Sequence, residues 1–515
     1  MSILSGISRR SWHIVLVGLL VFGLALRLHG VLILKQGYSH DESVSYLCAS
    51  ATEAAYQEDI NGLLDRPITA GTIQGYYGRP AHLELGKVAK DLAHWDIHPP
   101  LYFWALHCVH VILGAGLVGG ALLNVLAGLL ILILLFAIAK RALGSTTAAL
   151  VTTVVWYLSP AVVQIDLEAR QYQFLALFAM ASFLIGDRLS DGRRAPGLLV
   201  LFTLVNASGM LSHYYFSFLL VPGVCIMLLR QGIRAPTLLY VGSLLLSLCL
   251  FILAFPSIFD FVDVFLQREP DPDAAERSFL DRIRTFVYAS LAFFTYGHWS
   301  RYIYLLVVSL VLFIGAVRIR PDRAALRTLL WTPLGQITIF LVWAVAFTVL
   351  FYMVGISPAQ AAGEQYFSYI WPPLAIVLVY LVRKVLPTRS LGRVASLHIV
   401  LLAMAFSASI RNSAYVQRVL PSNWYAALSD SDLMITDERK RSGLPRICRD
   451  LRADLPLFIL NEQRPDLSGI SKVAFLHLEL KGRNTIAPLL QWMDDQGFRH
   501  EMAQHGHYQL HSYSR

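Results

Sequence analysis

The sequence is short of charge. Of its 515 residues, 15% are Asp, Glu, Lys or Arg and 56% are hydrophobic, and the mean hydropathy is +0.54. A soluble globular chain carries about a quarter charged residues, so the balance excludes a water-soluble enzyme and indicates a polytopic membrane protein. Cysteine is scarce too. The five present are scattered, and no spacing among them suits a metal cluster. Cys108, Cys225 and Cys249 fall in apolar segments and read as buried thiols. Cys48 and Cys448 are the two in polar segments, and a bridge between them is the minority reading. No Gly-rich phosphate loop is present, which argues against a soluble nucleotide as ligand. Heptads, low-complexity tracts and internal repeats are also missing. The net charge of +9 does not signal nucleic acid, because the basic residues lie in short clusters between apolar runs, where they orient spans.

What the chain has instead is long apolar runs. Crossing the ~30 Å hydrocarbon core takes about 20 apolar residues. Runs of that kind begin near Ser11, Gly116, Thr146, Gln171, Gly197, Phe216, Thr237, Tyr302, Pro333, Phe367 and Val394. The first ten residues read as the basic flank of a retained first helix, since the run after them is too long for a signal-peptide core. Clusters at Arg9-Arg10, Lys140-Arg141, Arg188/Arg193/Arg194, Arg230/Arg234, Arg318 to Arg327 and Arg383 to Arg393 are expected in the cytoplasm. The loops at 35–98, 166–170, 257–284 and 355–366 are then extracytoplasmic. Two stretches, Leu101–Leu113 and 286–296, are too short to cross and read as partial helices, giving about 11 crossings, or 13 if both are counted. Incomplete helices are tolerated where they line a protein-walled cavity.

The loop 35–98 is too long for a plain connector. Its segments 52–64 and 82–95 have the spacing of helices lying along a membrane surface, separated by turn residues at Asp65-Arg66-Pro67 and Gly75 to Pro80. After residue 410 the composition turns polar. Strand-like runs at 455–461, 472–480 and 507–513, with a helix-like run at 484–496, predict a small soluble α/β domain at 411–515. His500, His505, His507 and His511 are too irregular for a metal site and read as surface histidines.

Charged residues at the edge of a bilayer cost about 2.5–3.5 kcal/mol each on insertion scales, so they need a reason. Several meet on the expected outer side. The stretch Tyr38-Ser39-His40-Asp41-Glu42-Ser43 follows the first span. Adjacent side chains diverge, so one of Asp41 and Glu42 can act as general base while the other anchors the backbone or binds substrate. Asp96 and His98 precede a short apolar stretch. Asp166, Glu168, Arg170 and Tyr172 occupy a turn between spans, His213, Tyr214 and Tyr215 another, and Glu364 and Tyr366 open a late span. This set suits transfer from an anionic lipid donor. A carboxylate such as Asp41 takes the acceptor's proton, and Arg170 stabilises the leaving phosphate. Asp41, Glu42 and Asp166 can also supply oxygen ligands to a divalent cation, although none is required.

At these residues the chain resembles the polytopic glycosyltransferases of the GT-C fold, in particular the protein-mannosyltransferase, aminoarabinose-transferase and galacturonosyltransferase-like group. The resemblance rests on an ordered set: Asp41-Glu42 with Ser43 and Tyr46, then His98-Pro99-Pro100-Leu101-Tyr102, then Glu168-Ala169-Arg170-Gln171-Tyr172, then His213-Tyr214-Tyr215. It covers about residues 10–410 and implies an all-α membrane domain over 1–410. It also implies a polyprenyl-phosphate-linked sugar as donor, inversion at the anomeric carbon, and an extracytoplasmic glycan, lipid or protein as acceptor. The bacterial plasma membrane is the expected location. Asp41 would be the catalytic base, with Arg170, Tyr172 and His98 near the donor phosphate. Asp166, Glu168, His213, Tyr214 and Tyr366 would contact substrate. Two departures stand out: Gln365 precedes Tyr366 where relatives often have Arg, and Asp166-Leu167 stands where they often have Ser-Arg. The transferase reading requires Asp41 and Arg170 to serve one pocket. The alternative is a transporter or flippase of a lipid-linked sugar, which would explain the spans without chemistry but would be expected to show repeats.

Overall fold

The computed structural model describes residues 9–96, 98–114, 116–191, 196–260, 280, 331–354, 367–385, 419–440, 442–478 and 486–515. Tyr366, Glu364, the spans expected near Tyr302 and Val394 and the short stretch 286–296 lie outside them. The chain divides into two compact units. One comprises Met1–Leu34, Ile97–Tyr102 and Gly120–Ser413; the other comprises Lys35–Asp96, Phe103–Gly119 and Ala414–Arg515.

The first unit is a helix bundle. Among the described residues, five helices are long and apolar enough to cross a bilayer: Arg10–Leu34, Gly119–Leu143, Tyr172–Ser190, Ala235–Ala254 and Pro333–Leu350. A sixth span is possible where Thr146–Tyr157 and Pro160–Leu167 meet at a 58° bend. Pro160 at the break supplies the cause, since proline cannot donate to the preceding turn. Leu101–Leu113, Pro196–Ser212 and Tyr215–Gln231 are shorter apolar helices. Ile14, Ile133 and Leu238 are about two-thirds exposed at 65%, 62% and 60%. Such side chains are costly in water and at ease in lipid, so this is an integral, multi-pass membrane protein. The same logic corrects the cysteine expectation: Cys225 and Cys249 are exposed on their helices and Cys108 is half-buried. Apolar helices in a bilayer bury their outward face in lipid rather than in protein.

Among the described residues, one end of this bundle collects Arg141, Arg230 and Arg383. Arg141 pairs with Asp187 at 2.5 Å and with Asp191, and Arg230 reaches Asp191 at 3.6 Å. Arg383 donates to the Leu143 carbonyl at 2.9 Å. The C-terminal turns of four helices therefore lie together, as the positive-cluster reading expects of them. The helix Tyr172–Ser190 runs from that end to the Glu168–Tyr172 turn. Its 19 residues span about 28 Å at 1.5 Å per residue, close to the thickness of a hydrocarbon core.

The second unit is built on a six-stranded sheet. Its strands are β1 (Pro67–Thr69), β2 (Leu433–Thr436), β3 (Pro456–Ile459), β4 (Lys472–Leu478), β5 (Arg499–His505) and β6 (Tyr508–Ser514), in the order β1-β3-β2-β4-β6-β5. β2 is parallel to both β3 and β4; the other pairings are antiparallel. β1 comes from the loop 35–98, so that loop and the C-terminal segment share one sheet. They also share one core, in which Tyr56, Ile60, Ala70 and Ile73 pack with Trp424, Leu428, Met434, Ile447 and Leu457. The helix Glu53–Leu63, expected on a membrane surface, thus turns its apolar positions into the C-terminal core. On the other face of the sheet Phe475, Phe458, Leu489, Met493 and Tyr513 pack together. Cys48 and Cys448 are buried free thiols. His511 is also buried, at 1% exposure, and hydrogen-bonds His500 at 2.8 Å. It was expected at the surface, but strand alternation turns it inward beside Phe475.

Candidate active site

In the second unit the Asp41-Glu42 pair divides its labour. The helix His40–Ala49 starts with a capping box. Ser39 Oγ accepts from the Glu42 amide at 3.1 Å, and Glu42 Oε2 accepts from the Ser39 amide at 2.8 Å. Glu42 Oε1 accepts from Lys35 Nζ at 2.6 Å, with both side chains buried. Both carboxylate oxygens of Glu42 are therefore engaged, and its geometry is that of an anchor. Asp41, one residue earlier, points away. Its side chain is 29% exposed and lies 3.3 Å from His40 Nδ1. Of the pair, Asp41 is the one that solvent and ligands can reach.

Behind this helix lies an aromatic stack. Tyr38 stacks on Tyr46 with ring centroids 4.4 Å apart, and His110 stacks on the same Tyr46 at 5.1 Å. Tyr77 shares a hydrogen bond of 2.5 Å with Ser43 Oγ. Burial pushes the phenol pKa of both Tyr38 and Tyr77 up, so both stay protonated.

In the first unit the Glu168–Tyr172 turn is held by one face of the helix Gly119–Leu143. Gly120, Asn124 and Gly128 recur at a spacing of four and so line one stripe. Asn124 Nδ2 donates to the carbonyls of Ile165 at 3.2 Å, of Arg170 at 3.0 Å and of Glu168. Gly120 lets Ala169 close in: a Cβ there would overlap Ala169 Cβ and lie 3.1 Å from its Cα. Gly128 leaves room for Asp166 Oδ1, which a Cβ would meet at 2.9 Å.

The turn delivers a cluster of basic and aromatic groups. The His98 and His213 rings lie 6.1 Å apart, and Tyr172 lies 5.8 Å from His213. Arg170 and His98 are close enough for their charges to act on His213. His213 Nδ1 accepts from the Tyr215 amide at 3.1 Å, which places the ring proton on Nε2. Nε2 is buried and has no hydrogen-bond partner among the described residues. Glu168 and Arg170 are buried at 3% and 6% exposure. Tyr214 is half-buried and precedes the short helix Tyr215–Leu219.

Asp166 is not on this surface. It is wholly buried, and its oxygens accept from Arg27 Nε and from Gln173 Nε2, each at 2.5 Å. Arg27 also caps the carbonyls of Gly23 and Tyr157 and lies over the Tyr157 ring. The pair locks the first span to the bent helix; as placed, it offers nothing to a substrate. Sequence reading passed over Arg27 and Lys35, although the first is a cation inside an apolar run and the second one at its edge, so each had to have a partner. It also passed over Gln171, a wholly buried amide with neither end hydrogen-bonded among the described residues.

Among the described residues, no group of three or more His, Cys, Asp or Glu side chains is arranged to hold a metal. Of the three carboxylates considered as ligands, Glu42 is committed to Lys35 and Ser39, and Asp166 to Arg27 and Gln173. As placed, Glu42 and Asp166 do not fit a divalent ion. Asp41 belongs to the second unit and His98, Arg170, Tyr172 and His213 to the first.

The fold is that of the GT-C glycosyltransferases: a polytopic all-helical membrane domain with a small α/β domain. Two solved structures carry the comparison. ArnT from Cupriavidus metallidurans bound to undecaprenyl phosphate matches with a TM-score of 0.53 at 12% identity, covering 98% of both chains. The same protein in its apo state matches with a TM-score of 0.51 at 11% identity and the same coverage. By sequence, residues 97–258 match the family model for dolichyl-phosphate-mannose-protein mannosyltransferase. That segment holds His98, Asn124, Glu168, Arg170, Tyr172 and His213. No curated protein sequence matches the chain. The structural matches show the fold, and the family match covers residues 97–258 of the 515.

Proposed function

We propose that the protein is an inverting glycosyltransferase that moves a sugar from a polyprenyl-phosphate donor to an extracytoplasmic acceptor, a cell-envelope glycan, lipid or protein. In this reading an acceptor O–H or N–H attacks the anomeric carbon in a single displacement. The bond from that carbon to the donor phosphate breaks as the new one forms. Asp41 takes the acceptor proton, and the polyprenyl phosphate leaves. Arg170 neutralises its growing charge as a fixed cation, with Tyr172 and His98 beside it and the Nε2 proton of His213 as a further donor. Glu42 acts by holding the helix that bears Asp41. Glu168 and Tyr214 line the same region of the first unit, and Tyr366 keeps the substrate contact that the resemblance implies.

The observation that carries the reading is the convergence of His98, Arg170 and Tyr172 around His213, on a fold shared with a protein solved with undecaprenyl phosphate bound. Phosphate is the ligand class that such a cluster of N–H donors and cations suits. We infer that the bundle end bearing this cluster faces out of the cytoplasm; the gathering of Arg141, Arg230 and Arg383 at the other end supports it. The bacterial plasma membrane is the proposed location.

Purified protein in lipid nanodiscs, given a panel of undecaprenyl-phosphate-linked sugars and acceptors, is expected to release undecaprenyl phosphate. Asp41→Asn should still bind undecaprenyl phosphate and lose turnover by about 10²-fold or more. Full turnover in Asp41→Asn would remove the base assignment, and transport of intact donor without release would favour a flippase.

A further inference from the structure

Within one unit, the residues just before Asp41 are held to the C-terminal segment by a cation, Arg449. Arg449 follows the short helix Leu444–Cys448. Its Nη2 donates to the Gln36 carbonyl at 2.8 Å, and its guanidinium carbon lies 4.9 Å from the centre of the Tyr38 ring. Asp450 Oδ1 accepts from the same nitrogen at 2.6 Å and so helps fix the group's direction. Tyr38 is buried and stacks on Tyr46, which lies on the Asp41 helix. Ser39, the residue after Tyr38, caps that helix. A rigid path therefore runs from Arg449 through Gln36 and Tyr38 to the first turn of the helix. The start of the stretch is pinned twice, at Gln36 by Arg449 and at Lys35 by Glu42 of the helix's first turn.

We propose that Arg449 is a positioning residue that sets the orientation of the Asp41 helix for group transfer, which makes the C-terminal segment a working part of the catalytic unit. The proposal rests on the reading of Asp41 as base. Arginine suits the task because its planar group can stack on a ring and donate in plane at once, which a lysine ammonium cannot. A base displaced by about 1 Å can lose about 10²-fold in rate, whereas the donor phosphate site lies on other residues. The expected signature is a fall in kcat with KM for the donor held.

The test compares wild type, Arg449→Ala, Arg449→Lys and Asp41→Asn, each as the full chain in nanodiscs. Amide hydrogen exchange over residues 36–46 is measured on each, together with kcat and donor KM for undecaprenyl-phosphate-linked sugars. Arg449→Ala should speed exchange across 36–43 and lower kcat by about 10- to 100-fold, with donor KM changed less than about twofold. Arg449→Lys should recover part of both. Unchanged exchange in Arg449→Ala overturns the proposal, and so does faster exchange with unchanged kcat. If Asp41→Asn keeps full turnover, the base assignment fails instead. The exchange data on Arg449→Ala then still show whether Arg449 anchors the loop, so the two failures are separable.

Discussion

Replacing Gly120 by alanine tests how the Glu168–Arg170 turn is held. In an ordinary helix interior that change stabilises by about 1 kcal/mol, because alanine is the better helix former. Here the new Cβ would overlap Ala169 Cβ and sit 3.1 Å from its Cα and 3.2 Å from the Tyr102 hydroxyl. Carbon contacts favour about 3.5–4.0 Å, so the turn must move away from the helix. Overpacking of this kind costs about 1–3 kcal/mol, and a group on backbone sits at the high end, since it cannot swing aside. The net expectation is a destabilisation of about 2 kcal/mol after the helix gain is subtracted. The displaced turn carries Arg170, so turnover should fall by about 10²-fold. The companion change Ala169→Gly removes the struck atom. Gly120→Ala/Ala169→Gly should recover stability and turnover beyond the sum of the single effects, with a coupling of about 1 kcal/mol or more. Thermal denaturation at fixed scan rate and donor turnover on the four proteins measure this. A Gly120→Ala protein more stable than wild type and fully active would refute the close-approach argument, and so would additivity of the two changes.

Three further expectations follow from the buried charges. Arg27→Met leaves Asp166 buried without its main partner and should destabilise by about 3–5 kcal/mol; Arg27→Met/Asp166→Leu should regain most of that loss in the same melting assay. Glu42→Ala removes one half of the capping box and the partner of buried Lys35, so it should lower the melting temperature and loosen exchange at residues 39–43, whereas Asp41→Asn should leave both near wild type. His511 is held down to about 4 by burial, with His500 and His477 adding to the effect. An unfolded histidine titrates near 6.5, so the unfolded state takes up the proton first as pH falls. Stability contributed by neutral His511 is therefore full above about pH 6.5 and is lost between there and about pH 4. Melting the second unit at pH 7.5 and pH 5 should show the loss, and His511→Phe should flatten the slope.

Membrane architecture was readable from the sequence because lipid imposes a one-dimensional rule. Each span must be apolar for a fixed length, and cations mark one side. The runs at Thr146, Gln171, Gly197, Phe216 and Pro333 accordingly start within a residue or so of helices, and the strands at 472–480 and 507–513 are found almost in place. Strands β2 and β5 were missed for opposite reasons. β2 is buried on both faces, so its Leu-Met-Ile-Thr run has no alternation to read. β5 is exposed along its whole length, so it has none either.

Other features only the tertiary structure decided. Sequence placed Asp41 beside Glu42 and could not say which was the anchor. The capping box and Lys35 decided it, because both oxygens of the wholly buried Glu42 carboxylate are engaged there while the Asp41 side chain is partly exposed. Asp166 looked like a site residue until Arg27, 139 positions earlier, was seen to hold it. That pairing depends on two helices meeting, and neither residue's neighbours encode it. The stripe of Gly120, Asn124 and Gly128 acquires meaning only against the turn it receives. Composition and spacing thus determine which segments enter the membrane and which residue types line its edge. Which polar groups neutralise one another, and which remain for chemistry, depends on distances between segments far apart in the chain, and those are set by packing.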